Sequence, residues 1–409
     1  MSKIKQYLEV VFPGVLLAAT GIGASDFFGA TWAGTVAGTS LLWAIVLGVL
    51  LKYFLTVGMA KWQLYSGQTI LETWLTAFPK WIQIIFILYF LVWAILVSAA
   101  LMGACGLAIH QLDVPKLHDY SKYNNAIYAA LHGFIGWIFV RFIRFEGFEK
   151  FISLVVGFMF LAILLSCFRV EVQGNMLDLP AFPIEKPVVI LAIISGIGGT
   201  VTLLSFSYWI KEKGWNRLSN FKEVKLSAAA GYLISGLFGA CILFIVSHVL
   251  RPHGILADSE ESAKEAFKKI GSLMDEKVGR YLFISGFYAA VIGSMLGVWQ
   301  SVPYFFANGY YLLKKRSFEG SYTTTLPYRY FQAFMILTAM FFLVQKAQIL
   351  LVMYSLFGSL FMPMVAISLM VLNSKKEMGK YKNSLLLNLF LAMVVVLYVI
   401  IIAIELSLL

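Results

Sequence analysis

The stretch FPGVLLAATGIGASDFFGATWAG, residues 12–34, is apolar enough to cross a membrane, yet it carries two glycines and an aspartate in its middle. Glycine costs about 1 kcal/mol relative to alanine inside a helix, and a carboxylate at the centre of a bilayer costs at least ~2.5 kcal/mol. A break in the helix near residues 21–26 resolves the contradiction, because Asp26 would then lie at the positive end of the restarting helix. We therefore predict an interrupted membrane helix.

The composition of the whole chain is that of a polytopic α-helical membrane protein. Of its 409 residues, 60% are hydrophobic and 13% are charged, where a soluble domain has about 25% charged residues. Apolar runs of about 20 residues recur from end to end, and each is long enough to span a bilayer as a helix. Eleven spans are predicted, near residues 10–34, 39–62, 81–108, 126–143, 149–168, 187–212, 226–250, 280–312, 328–345, 348–372 and 382–408.

The net charge of +11 reflects membrane topology. Lys and Arg concentrate in the loops on the side of the N-terminus, as the positive-inside rule requires of cytoplasmic loops. We therefore expect a cytoplasmic N-terminus, an external C-terminus and no nucleic-acid partner, in a prokaryotic inner (plasma) membrane. The three cysteines lie in apolar spans and have no metal-ligand spacing, so we expect small core residues and no cofactor.

A second glycine-rich interruption, GIGGTVT at residues 196–202, lies in the first span of the second half of the chain. Matched interruptions in two halves indicate an inverted repeat with an ion site at the midplane. Single glycines of this kind also permit close helix packing, which is the alternative interpretation. We predict one transmembrane transporter domain over residues 1–409, with a first repeat at about 10–168, a second at about 187–372 and an extra helix at 382–408.

Five stretches of the sequence resemble the Nramp family of divalent-metal transporters, which have the all-α LeuT-type fold with two inverted five-helix repeats and with helices 1 and 6 broken at the midplane. These stretches are residues 12–34, LLWAIVLGVLLKYFLTVGMAKWQLYSGQTILE at 41–72, GFEKFISLVVGFMFLAILL at 147–165, GGTVTLLSFSYWI at 198–210 and LLVMYSLFGSLFMPMVAISLMVLNSKKEMGKYKN at 350–383. The resemblance covers nearly the whole chain and implies a secondary transporter that is not an enzyme.

The metal-binding motifs of the family are not preserved in this chain. The family's first-helix motif Asp-Pro-Gly-Asn aligns with residues 23–26, so Gly23 replaces the principal carboxylate and Asp26 replaces the amide. The sixth-helix motif Met-Pro-His begins at Thr202 and contains neither methionine nor histidine here. A tenth-helix glutamine of the family aligns with Ser355.

These departures favour a harder ion than the family's usual substrates. A methionine sulfur selects transition metals over Mg²⁺, whereas carboxylate, hydroxyl and carbonyl oxygens suit Mg²⁺. The acids of the family's proton path align near Val97 and Ala100, so obligatory proton coupling is not expected. The residues predicted to contact the ion are Gly23, Ala24, Ser25, Asp26, Lys52, Thr200, Thr202, Ser205 and Ser355, with Asp26 and Thr202 as metal ligands.

Lys52, near the centre of the second span, leaves a second function open. It either snorkels or pairs with Asp26, or it marks the path of a small anion such as bicarbonate, which helix N-termini and hydroxyls would also suit. A membrane enzyme or a sensor is a third class, but the sequence has no nucleophile–base pair and its cytoplasmic loops are short. We expect the small inorganic ion and the lipid bilayer to be the only partners of a monomer.

Overall fold

The computed structural model describes residues 3–112, 114–172, 175–182, 188–255, 269–270, 278–315, 320–345 and 347–407. Within these ranges every regular element is helical, with fourteen α-helices, short 3-10 helices and no strand. The predicted all-α class is therefore confirmed.

The α-helices of the first half are α1 (Lys3–Gly21), α2 (Ala24–Ala37), α3 (Leu42–Ser66), α4 (Ile70–Ala77), α5 (Lys80–His110), α6 (Ser121–Phe142) and α7 (Phe145–Cys167). Those of the second half are α8 (Val188–Gly196), α9 (Leu203–Glu212), α10 (Phe221–Val249), α11 (Val278–Leu313), α12 (Leu326–Met340), α13 (Ala347–Leu372) and α14 (Leu385–Ser407). The predicted first span corresponds to α1 with α2, and the sixth to α8 with α9. The other nine predicted spans each correspond to one helix.

Six segments of the described chain are long and apolar enough to cross a membrane by length and composition. They are Ala24–Ser66, Lys80–His110, Phe145–Cys167, Leu218–His253, Val278–Leu313 and Leu385–Ile404. The shorter apolar helix Glu9–Gly21 is the first part of the first predicted span, and Leu356–Leu372 belongs to a further predicted span. Large apolar side chains such as Leu385, Leu386 and Leu389 stand exposed on α14, as lipid contact requires.

The short helix α4 was not among the predicted elements. Its N-terminus is a capping box, in which the Glu72 N–H donates to Thr69 Oγ1 at 3.1 Å and the Thr69 N–H donates to Glu72 Oε2 at 2.7 Å. The sequence TILE at 69–72 carries this signal, but it lies between the predicted spans 39–62 and 81–108. The other oxygen of Glu72 accepts from Asn308 Nδ2 at 2.8 Å, which holds α4 against α11.

The first helix packs closely on α10 through two glycines. The Gly14 N–H donates to Ser227 Oγ at 2.8 Å, and a Cβ at Gly14 would lie 1.8 Å from the Ser227 carbonyl oxygen. A Cβ at Gly231 would lie 2.3 Å from the Gly14 carbonyl oxygen, so neither position accepts a side chain without a shift of the helices. This contact holds α1 against α10 at a point seven residues before the first break.

Candidate ion site at the two helix breaks

The first break separates α1 from α2 at Ile22 and Gly23. Gly23 is the extended residue before α2, with φ −142° and ψ −160°. Asp26, in the first turn of α2, turns back so that its Oδ2 accepts the Gly23 N–H at 2.9 Å. A carboxylate here satisfies an orphan amide and lies at the positive end of the helix. The predicted position of Asp26, at the start of the helix that follows the break, is therefore confirmed.

The second break separates α8, which ends at Gly196, from α9, which begins at Leu203. Gly198 and Gly199 take up the left-handed region, with φ of +75° and +79°. Side chains are strained in this conformation, so these two glycines allow the chain to leave α8 and to begin α9 after the break. Both breaks lie where the glycine-rich stretches predicted them.

The two breaks are in direct contact inside the bundle. A Cβ at Gly21 would lie 2.8 Å from the carbonyl carbon of Gly198, and the Gly198 N–H donates to Asp26 Oδ1 at 2.8 Å. Asp26 is 3% exposed, and each of its oxygens accepts a backbone amide from a different break. The glycines therefore serve both predicted roles, because they interrupt the helices and also let the interruptions touch.

Lys52 reaches this region from α3 and is completely buried. Its ammonium donates to the carbonyl oxygen of Ser195 at 2.8 Å and to that of Ile197. Lys52 is not at an interface, so the snorkelling interpretation is wrong. Its charge interacts with that of Asp26, but within the described chain the two side chains make no contact ion pair within 4 Å. The lysine instead satisfies carbonyls that the end of α8 leaves without helical partners.

The peptide group between Ile197 and Gly198 joins the two buried charges. Its carbonyl oxygen accepts from Lys52, and its N–H donates to Asp26. A hydrogen bond at one end of a peptide group polarises it and strengthens the bond at the other end. Lys52 and Asp26 therefore stabilise each other through one shared peptide group, without touching.

The structure places three of the predicted hydroxyls beside the breaks. Ser25 Oγ lies 3.5 Å from the hydroxyl of Tyr354, a residue of α13 that the sequence interpretation missed. The Thr200 hydroxyl packs against the same helix, because a Cβ at Gly358 would lie 2.3 Å from Thr200 Oγ1, and it has no hydrogen-bond partner among the described residues. Thr202 is buried, and its Oγ1 has no hydrogen-bond partner among the described residues. Tyr354 precedes the predicted Ser355 by one position. The sequence therefore indicated the correct helix, α13, but not Tyr354 as the side chain that contacts the first break.

The remaining predicted residues differ in their surroundings. Ser205 is paired with α11, because its Oγ donates to Ser301 Oγ at 2.7 Å. Ala24 is buried at the start of α2 and brings only backbone groups to the site. Ser355 belongs to α13, but its side chain lies outside the described part of the structure.

The ligand atoms that these residues offer to a cation are oxygens. In the described part of the chain, no three His, Cys, Asp or Glu side chains come together. Asp26 supplies a carboxylate, Ser25, Thr200 and Thr202 supply hydroxyls, and the breaks supply backbone carbonyls. On α5, the positions aligned with the family's acids, Val97 and Ala100, are buried among apolar side chains.

A bundle of apolar helices with two interrupted helices meeting in its interior defines an integral membrane protein of the transporter class. The chain belongs to the Nramp family, because the family model "Natural resistance-associated macrophage protein-like" matches residues 14–408. The predicted family is confirmed. A search of curated protein sequences found no match to the chain.

Solved structures of a manganese transporter from Eremococcus coleocola have a similar fold. The complex with an aromatic bis-isothiourea compound matches with a TM-score of 0.71 and 16% identity, over 99% of this chain and 88% of that chain. A histidine-to-alanine variant of that transporter matches with a TM-score of 0.71 and 14% identity, over 99% and 87%. These likenesses confirm the predicted LeuT-type fold.

Proposed function

We propose that this protein is a secondary transporter or facilitator that moves a small inorganic ion by alternating access, with the ion bound between the two helix breaks. The observation that supports this most directly is the contact of the breaks through Asp26, which accepts amides from both. Unwound backbone at membrane depth is tolerated where it lines a binding site. Family membership and the manganese transporter relatives favour a metal ion as the cargo.

The proposed cargo is a divalent cation harder than manganese, of which Mg²⁺ is the example. Carboxylate, hydroxyl and carbonyl oxygens are the groups at the breaks, and Mg²⁺ binds such ligands while keeping several waters. Thr202 stands where the family has a methionine sulfur, so the preference for softer transition metals is lost. We place Asp26 and Thr202 as ligands, since Thr202 Oγ1 is buried and has no partner among the described residues.

We further propose that transport does not require protons to move with the ion. Proton relays through a membrane use acids or histidines, and α5 has apolar residues where the family has acids. Ion movement would then follow the gradient of the ion itself. This is facilitated transport, and its direction is set by concentration and membrane potential.

A small anion such as bicarbonate is the second candidate, and Lys52 is the observation that favours it. A buried ammonium beside a single carboxylate leaves the centre of the site without net negative charge, so a dication gains less there than in a site with two acids. The hydroxyls of Ser25, Thr200 and Thr202 at the breaks can also donate hydrogen bonds to an anion.

Uptake into proteoliposomes distinguishes the candidates. Two sets of vesicles contain a Mg²⁺-sensitive or a Mn²⁺-sensitive dye. A third set receives labelled bicarbonate from outside. All three sets also contain a pH-sensitive dye. The proposal expects Mg²⁺ uptake that exceeds Mn²⁺ uptake, without acidification. Bicarbonate uptake without Mg²⁺ uptake would instead select the anion, and acidification that follows the ion would refute proton independence.

We also infer the organisation and placement of the chain. The helix breaks in α1–α2 and α8–α9 support two inverted repeats, at about 10–168 and 187–372, followed by the extra helix at 382–408. The distribution of Lys and Arg supports a cytoplasmic N-terminus and an external C-terminus in a prokaryotic inner membrane. A monomer with the ion and the lipid bilayer as partners is sufficient for the proposed transport.

A further inference from the structure

The end of α8 forms a site for a positive charge. The helix stops at Gly196, so its last carbonyls have no amide to accept from, and they lie at the negative end of the helix. The Ser195 and Ile197 carbonyl oxygens both point to one position, where they accept hydrogen bonds from the same atom. Two buried carbonyls that converge on one point need a cation or a strong donor there.

Lys52 fills that position although it belongs to another helix. Its side chain extends from α3 past the second break, and its Cδ would lie 3.7 Å from a Cβ at Gly198. The side chain is 0% exposed, so its charge is fully removed from solvent. The ammonium donates to the carbonyls and makes no contact ion pair with Asp26, with which it shares the peptide group between Ile197 and Gly198.

We propose that the Lys52 ammonium is a resident cation of the carbonyl site at the end of α8, and that an ion using these carbonyls must displace it. The inference deepens the proposed cation transport and rests on it for its role in the cycle. A tethered group competes at a high effective concentration. Lys52 therefore lowers the affinity for free cations and excludes those that need the carbonyls of Ser195 and Ile197 to bind.

The first test measures Mg²⁺ binding by calorimetry in detergent for the wild type and for Lys52→Met. Because methionine has a similar length and no charge, we expect Kd for Mg²⁺ to fall at least tenfold. Lys61→Met is the matched control, since Lys61 is a buried lysine on the same helix whose ammonium donates to Asn383 Oδ1 at 2.6 Å. Equal affinities in the wild type and Lys52→Met would overturn the inference.

The second test replaces the tethered cation by a free one and does not depend on Mg²⁺. Lys52→Ala leaves a space that fits n-propylammonium, which carries the same ammonium head. We expect n-propylammonium to raise the thermal midpoint of Lys52→Ala by several degrees more than that of the wild type or Lys61→Ala. Tetramethylammonium, which cannot donate hydrogen bonds, should give no such difference. A response of Lys52→Ala no larger than that of Lys61→Ala refutes a cation site at these carbonyls.

The two proposals fail in different measurements. Wild-type vesicles that take up no cation, combined with a specific response of Lys52→Ala to n-propylammonium, would refute the proposed function and leave the resident cation supported. Mg²⁺ uptake by the wild type, combined with no change in affinity or amine response at Lys52, would refute the resident cation and leave the proposed function supported.

Discussion

The coupling between Asp26 and Lys52 gives the sharpest prediction about this fold. Asp26→Asn keeps the shape of the side chain but removes its charge and turns one acceptor into a donor. One of the two amides that Asp26 accepts, from Gly23 or Gly198, then faces an NH₂ group. We expect the single variant to be unstable and inactive, and the double variant Asp26→Asn with Lys52→Met to lose less stability than the sum of the two single variants.

The expected size of the effect follows from these contacts. Each hydrogen bond to the charged carboxylate contributes about 1.5–3 kcal/mol, and leaving one member of a buried charge pair unpartnered typically costs ~3–5 kcal/mol. Lys52→Met frees the Ile197 carbonyl at the other end of the shared peptide group and has a cost of similar order. Because the peptide links the two charges, we expect a favourable coupling free energy of about 1–3 kcal/mol in the double variant.

The assay is a double-mutant cycle on thermal midpoints in detergent, read by intrinsic tryptophan fluorescence. The control cycle uses Asp178→Asn and Arg251→Met, whose ion pair of 2.9 Å is partly exposed. An exposed pair contributes about 0–1 kcal/mol, so its cycle should be nearly additive. If the stability changes of Asp26→Asn and Lys52→Met are equally additive, the shared peptide group does not couple the two residues. A stable Asp26→Asn variant that has lost only uptake would instead make Asp26 an ion ligand alone.

Three further predictions concern selectivity, the second break and topology. Thr202→Met alone should not produce micromolar Cd²⁺ affinity, because the principal carboxylate of the family is still missing. Micromolar Cd²⁺ binding by this variant in calorimetry would contradict a site made of oxygen ligands only. Gly198→Ala should lower the thermal midpoint more than Gly214→Ala, since both glycines have positive φ but only the new Cβ at Gly198 would meet Tyr232, at 3.0 Å. An equal decrease of the thermal midpoint in both variants would mean that the second break accommodates a Cβ at Gly198 without a clash. Cysteines introduced at residues 375–382 should react with impermeant reagents only from the side of the N-terminus, and labelling from the opposite side would contradict the proposed topology.

The sequence by itself determined the class of protein and the places where its helices break. Long apolar runs specify membrane helices because backbone groups in lipid must be satisfied within the segment. The glycines of the two interruptions and the acid in the first turn of α2 act through local backbone geometry, so GIGASD and GIGGTVT located both breaks. The capping role of Asp26 is likewise local, since Gly23 is three positions away.

The tertiary structure alone decided what the buried charges contact. The Gly198 amide lies 172 positions from Asp26 along the chain, and the Ile197 carbonyl lies 145 positions from Lys52. An ammonium in a membrane can be satisfied by a carboxylate or by free carbonyls, and a sequence pattern cannot choose between them. The choice depends on which helix end packs against α3, and here the Lys52 ammonium donates to the carbonyls of Ser195 and Ile197 at the end of α8.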